Sequence, residues 1–169
     1  MKNIDIKLSK EINASSEKVW EILGPNFLSI SKWGTGILSS VNNPQAEIQF
    51  VNAPAGGRFC QVKGIGKIEE LILHYSHDDK EITWSAYSPK IPGFVHGLQN
   101  AFKIEKIDEE KCVINANLTA HLKGIMGFLL GGKIEGNFQK TIEVFLKDIK
   151  IYAETGKVSP KKEIELNKA

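Results

Sequence analysis

Residues 138–152 read FQKTIEVFLKDIKIY. Phe138, Ile142, Phe145 with Leu146, Ile149 and Tyr152 recur every three or four positions, which lays one apolar stripe along an α-helix. Gly156 supplies the stop, because glycine takes the left-handed conformation that ends helices without steric cost. On the other side of the stripe the pattern weakens, since Gly124, Gly127, Gly131, Gly132 and Gly136 all disfavour helix. This is the one helical segment long enough to cover a sheet.

Upstream of Gly124 the period is two. Ile4, Ile6 and Leu8 alternate with Asp5, Lys7 and Ser9, a half-buried strand. Ser15 and Ser16 offer an N-cap for a short helix carrying Val19, Trp20, Ile22 and Leu23, and Gly24-Pro25 ends it. Phe27 to Trp33 reads as a second short helical segment, closed by Gly34 and Gly36. Strands are then predicted near Ile37–Val41, Glu47–Val51, Arg58–Val62, Lys67–Ser76, Glu81–Tyr87, His96–Ile107 and Cys112–Leu122. Turns at 77–80 and 108–111, and glycines at 56, 57, 64 and 66, punctuate them as antiparallel hairpins require. Two short helices, a curved antiparallel sheet of about seven strands and one long closing helix make an α+β chain. Its domain runs over 1–156, and 157–169 reads as a polar, flexible tail. A curved sheet gripping one helix packs imperfectly, so the space between them is where an apolar pocket is expected.

Composition narrows the function. A chain of 169 residues with 41% hydrophobic and 25% charged residues is ordinary for one globular domain. Its 22 basic and 20 acidic residues balance to +2, which gives no electrostatic footprint for nucleic acid or for an anionic membrane. No signal peptide is read at the start, and Ile125 to Leu130 is far short of the ~20 apolar residues of a membrane span. Cys60 and Cys112 are far apart and lack metal spacing, so a reduced, cytoplasmic protein is the simplest expectation.

The chain resembles the START-like, helix-grip (SRPBCC) superfamily, in its polyketide cyclase/dehydrase and lipid-transport branch. The resemblance runs from about Ile4 to Gly156 and is carried by Ala14 followed by Val19-Trp20, by Trp33, by Gly57-Arg58 and by Glu69-Glu70-Leu71. Trp84 to Ser88-Pro89 with Pro92, and the closing helix with Leu146-Lys147 and Glu154, complete it. The chain departs at Gly24-Pro25-Asn26-Phe27, where the family often has aspartate with an aromatic residue. The resemblance implies fold and pocket, and it assigns no catalytic set.

Strand parity nominates the pocket residues. Glu69, Leu71, Leu73 and Tyr75 form the more apolar set of their strand and are expected to face inward, with Glu70, Ile72 and His74 outward. Arg58 shares parity with Cys60 and Val62, so Arg58 and Glu69 could anchor a ligand carbonyl or hydroxyl, or simply form a structural ion pair. His96, Asn100 and Phe102 share another inward parity, with His96 at the pocket mouth. Trp84, Phe94 and Phe138 are expected to line the wide end, and Tyr87 and Ile142 are also expected to contact the ligand; core packing is the plainer reading for each aromatic. The Pro89–Pro92 loop could act as a lid, and the glycines at 127, 131 and 132 as a second gate. His77 and His121 read as solvent-exposed. No histidine has the spacing to a carboxylate that a metal needs, and neither a nucleophile elbow nor a phosphate-binding loop is present, so neither metal nor cofactor is expected.

The leading expectation is a non-enzymatic binder of a hydrophobic small molecule such as a lipid, isoprenoid or polyketide, working as a monomer or weak homodimer. A polyketide cyclase, aromatase or dehydratase using Glu69, His96 or Tyr87 as acid or base is the second reading. A chaperone-activator-like interaction module is the third.

Overall fold

Alternation turns most of the chain into strands β1 (Lys2–Ile12), β2 (Ile37–Asn42), β3 (Gly57–Val62), β4 (Gly66–Ser76), β5 (Glu81–Tyr87), β6 (Val95–Asp108) and β7 (Lys111–Leu122). The computed structural model, which describes residues 1–168, pairs them antiparallel in the order β1-β7-β6-β5-β4-β3-β2. Helix α1 (Ser16–Leu23) and a 3-10 helix (Phe27–Lys32) cross over from β1 to β2. Helix α2 (Gly124–Thr155) returns along β1 and β7, and a short helix α3 (Pro160–Asn167) follows.

Local chemistry places these elements. The Ser15 hydroxyl accepts from the Lys18 backbone N–H and so caps α1. Gly156, at φ 69°, accommodates the left-handed turn that ends α2. Gly57 lets β3 close against β4, for a Cβ there would meet the Glu70 carbonyl at 2.4 Å. The strand expected over Glu47–Val51 does not form. Pro44 and Pro54 bracket that segment, and residues 43–56 instead fold as a loop with Phe50 edge-on to His74, ring centroids 6.0 Å apart.

The core lies between the concave sheet face and α2. Trp84 stacks on Phe102 at 5.0 Å, Phe102 meets Phe145 of α2 at 4.8 Å, and Phe145 meets Trp33 at 5.2 Å. These aromatic pairs join sheet, 3-10 helix and α2 into one cluster. At the far end the Lys150 ammonium of α2 donates to the Glu11 carbonyl, and the Glu154 carboxylate accepts from the Asn13 backbone N–H at 2.7 Å.

The segment expected to be a loose tail is different. Ser159 caps α3, Pro160 opens it, and Lys162 is buried with its ammonium donating to the Ile37 carbonyl at 2.7 Å. A predominantly polar composition hid this helix, because its docking uses charge-assisted bonds to backbone rather than an apolar stripe.

Candidate functional site

The neighbouring strands β5 and β6 separate at one end of the sheet. β5 pairs with β6 only from Glu81↔Lys103 to Ser85↔Gln99. Beyond Ser85, Ala86 and Tyr87 stay paired with β4, through Glu70 and Glu69, while Val95 and His96 stay paired with β7, through Leu122 and His121. The gap is a slot of about 380 Å³ lined by Ala86, Ser88, Ile91, Val95 and Leu98, with Tyr87 and His96 at its outer rim. The loop carrying Pro89 and Pro92 bridges it, held by Val95 N–H to Pro92 carbonyl and Ile91 N–H to Ser88 carbonyl bonds.

Next to the slot, from its lining residue Ala86 towards β3, a polar row crosses the sheet. Arg58 on β3 lies opposite Glu70 on β4, and Glu70 lies opposite Ala86 on β5. Arg58 is 1% exposed, and its Nε donates to Glu70 Oε2 at 2.5 Å. The indole N–H of Trp84 donates to the other Glu70 oxygen at 3.1 Å. One Arg58 Nη donates to the Phe27 carbonyl, and the guanidinium lies over the Phe27 ring at 3.7 Å. The second Nη is buried without a partner, as is the Trp33 indole N–H. Both are donors. A buried donor without an acceptor costs free energy that a ligand oxygen would recover.

The structure sorts the nominated residues into two groups. Arg58, Trp84, Phe102 and Ile142 are buried on the concave side, Asn100 faces inward opposite Leu118, and Phe138 is half-buried against the core. Phe94 is half-buried in the bridging loop. Glu69, Leu71, Tyr87 and His96 do not join them. Glu69 lies on the convex face, accepting from Asn43 Nδ2 at 2.9 Å and flanking a groove of about 490 Å³ with Phe59, Lys67 and Tyr87. Leu71 shares that parity, and Tyr87 is 64% exposed.

Two β-bulges account for the reversal at Glu69, Leu71 and His96, whereas Tyr87 lies three residues from inward-facing Trp84 on β5 and so takes the opposite face. The β4–β5 register shifts between Ile72 and His74, so the inward set is Ile68, Glu70 and Ile72, then Tyr75 after the extra residue. Parity counted back from Tyr75 therefore picks Glu69 where Glu70 belongs. The β6–β7 register shifts between His96 and Gln99 around Gly97, which has φ 59°, so Val95 points in and His96 points out. Glu70 was the residue that sequence reasoning missed; its alternation with Ile68 and Ile72 is the signal that would have found it.

Other candidates for chemistry are structural. Burial pushes the Cys60 and Cys112 thiols up to about 11, and both are packed in the core. His77 is exposed, as expected from its turn, and it accepts from the Trp20 indole N–H at 3.1 Å. Among the described residues no group of three or more His, Cys, Asp or Glu side chains could hold a metal ion. Nor, among them, is any helix long and apolar enough to cross a membrane.

No family model matches the chain, and no curated protein sequence does. Solved structures do. The chain superposes on the protein XoxI from Bacillus cereus with TM-score 0.69 at 17% identity, covering 87% of this chain and 93% of that one. A norcoclaurine synthase point mutant from Thalictrum flavum, in complex with a transition-state analogue, gives TM-score 0.68 at 12% identity, over 90% and 94% of the two chains. A START superfamily protein from Mycobacterium smegmatis gives TM-score 0.57 at 15% identity, over 85% and 97%. At these identities the likeness is one of fold.

Proposed function

From the helix-grip fold that this chain shares with START-like (SRPBCC) proteins, we propose that it binds a hydrophobic small molecule with one neutral polar end, admitted through the slot between β5 and β6. The observation that carries this reading is the slot itself, whose wall residue Ala86 lies opposite Glu70 of a polar row in which Arg58 keeps one buried donor free. A volume of about 380 Å³ lies at the low end of ordinary ligand pockets. Apolar walls at Ile91, Val95 and Leu98 would supply affinity through burial. Glu70 already offsets the Arg58 charge, so the matching ligand group is a carbonyl or hydroxyl oxygen rather than a free carboxylate.

Binding is favoured over catalysis by where the ionisable groups lie. Glu69 and Tyr87 face the convex side, and His96 points away from the core. Glu70 faces inward, but both its oxygens are engaged by Arg58 and Trp84, which leaves no carboxylate poised for proton transfer. Isoprenoid, lipid and polyketide ligands all present the required chemistry.

The test is fluorescence titration with N-phenyl-1-naphthylamine, a neutral apolar probe, followed by competition with candidate ligands. Ala86→Trp and Leu98→Trp fill the slot from opposite walls, and each is expected to weaken binding at least about tenfold, about 1.4 kcal/mol. Probe binding that both substitutions leave unchanged would place the ligand elsewhere and overturn the slot as its site.

A further inference from the structure

We propose that the N-terminal turns of α2 form a docking face for an anionic lipid surface, a property that goes beyond small-molecule binding. The first turns of this helix are built inside out. Gly127 and Gly131 take the inward positions, where a Cβ would come within 2.9 Å of Leu122 Cβ and 2.8 Å of Lys2 Cδ. The helix therefore lies on its glycines, and its large side chains are turned to solvent. Ile125 is 80% exposed, Phe128 79% and Leu129 67%, with Met126 beside them. A soluble helix normally presents the reverse pattern, and contiguous exposed apolar surface of this kind marks an interaction site.

The neighbouring loop extends the face. The Lys123 N–H at the start of α2 donates to the Phe94 carbonyl at 2.8 Å, which ties the helix start to the loop bearing Pro92 at the rim of the slot. Along the two stretches that build this end the charge has one sign. No aspartate or glutamate occurs between Glu81 and Glu105 or between Glu110 and Glu135, the two stretches that build this end of the molecule. Lys90, Lys123 and Lys133 are exposed in them, and Glu135, the first acid along α2, is paired with Lys2 at 2.8 Å.

An apolar helix face bordered by exposed lysines is complementary to a bilayer of anionic lipid, where the rings enter the acyl boundary by about 5–10 Å and the ammonium groups stay at the headgroups. A second copy of the chain fits less well, because a two-fold contact would bring the same lysines together. The docking is interfacial, since among the described residues no helix is long and apolar enough to cross. It also sets the slot beside the membrane, where an apolar ligand would be exchanged without crossing water.

The experiment is co-sedimentation with vesicles of phosphatidylcholine alone and of phosphatidylcholine with about one-third phosphatidylglycerol. Wild-type protein is expected to bind the anionic vesicles at least about tenfold more tightly, with affinity falling as salt rises. Phe128→Glu combined with Leu129→Glu should abolish that binding while leaving the thermal midpoint and the naphthylamine affinity unchanged, both positions being exposed. Lys123→Gln combined with Lys133→Gln should weaken binding and flatten its salt dependence. Absence of wild-type binding, equal binding to both vesicles, or a double-glutamate variant that binds like wild type would each overturn the proposal. A concentration-dependent dimer abolished by the glutamates would assign the face to a second copy instead. The unchanged naphthylamine titration keeps these outcomes separate from the ligand reading.

Discussion

Glu70→Ala is expected to cost about 3–5 kcal/mol of folding stability, because it leaves a buried guanidinium without its counter-charge. Arg58 is 1% exposed and donates through Nε to Glu70, while Trp84 donates to the same carboxylate. Alanine removes the acceptor for both donors. The cost is therefore mostly that of an uncompensated charge, and it differs from the net contribution of the pair. Arg58→Met combined with Glu70→Leu separates the two quantities. That double variant removes both charges, keeps apolar volume, and is expected to lie within about 1–2 kcal/mol of wild type. Urea denaturation of the single and double variants gives the coupling directly. A double variant as unstable as Glu70→Ala would mean that the polar row acts through packing and not through charge. The same double variant bears on function. If the row orients a ligand oxygen, naphthylamine should still bind, since it lacks that group, whereas discrimination between ketone or alcohol ligands and their hydrocarbon analogues should disappear.

The fold was legible because its signals are long and redundant. The stripe from Phe138 to Tyr152 holds for several turns, and the strands repeat their alternation often enough that a single error leaves the architecture intact. The site was only half legible, for a physical reason. A binding row depends on which of two faces each strand residue occupies, and one inserted residue reverses that assignment for everything on one side of it. At β4 the extra residue falls near Leu73, whose apolar side chain gave the sequence no warning, since it continues the alternation of Leu71 and Tyr75. At β6 the bulge at Gly97 carried a visible cue, because a glycine inside a strand often marks one. Arg58, Trp84, Asn100 and Phe102 lie outside the affected stretches and were placed correctly on the concave side. Glu69, Leu71 and His96 lie within them and were placed on the wrong face. Helix α3 escaped for a different reason: sequence periodicity detects apolar stripes, and α3 docks through Lys162 and Glu165.

Ending the chain at Gly156 is expected to cost about 3 kcal/mol, an effect that a loose tail would not produce. The α3 segment clamps the start of β2. Glu165 accepts from the Gly36 backbone N–H through both oxygens, at 3.0 and 2.9 Å, and Lys162 donates to the Ile37 carbonyl. Two charge-assisted bonds of this kind contribute about 1.5–3 kcal/mol each, less what hydration restores once the groups are exposed. In a chain of this length a loss of about 3 kcal/mol lowers Tm by about 6–12 °C. Lys162→Met isolates the lysine and gives the effect a pH signature. Burial holds the Lys162 ammonium below the usual lysine range, with Glu165 and Asp148 opposing that shift in part. Because the folded-state value lies below the unfolded one, the unfolded chain binds more protons between the two values. Stability contributed at this site therefore rises with pH from the folded value towards about 10.4 and is constant below it. The stability difference between wild type and Lys162→Met should accordingly move in favour of wild type as pH rises from the folded value towards about 10.4, measured by urea unfolding at each pH. A difference that stays flat across that window would mean that Lys162 titrates as it does in water and is not enclosed by α3 and β2, and a truncated chain with unchanged Tm would return residues 157–169 to the status of a tail.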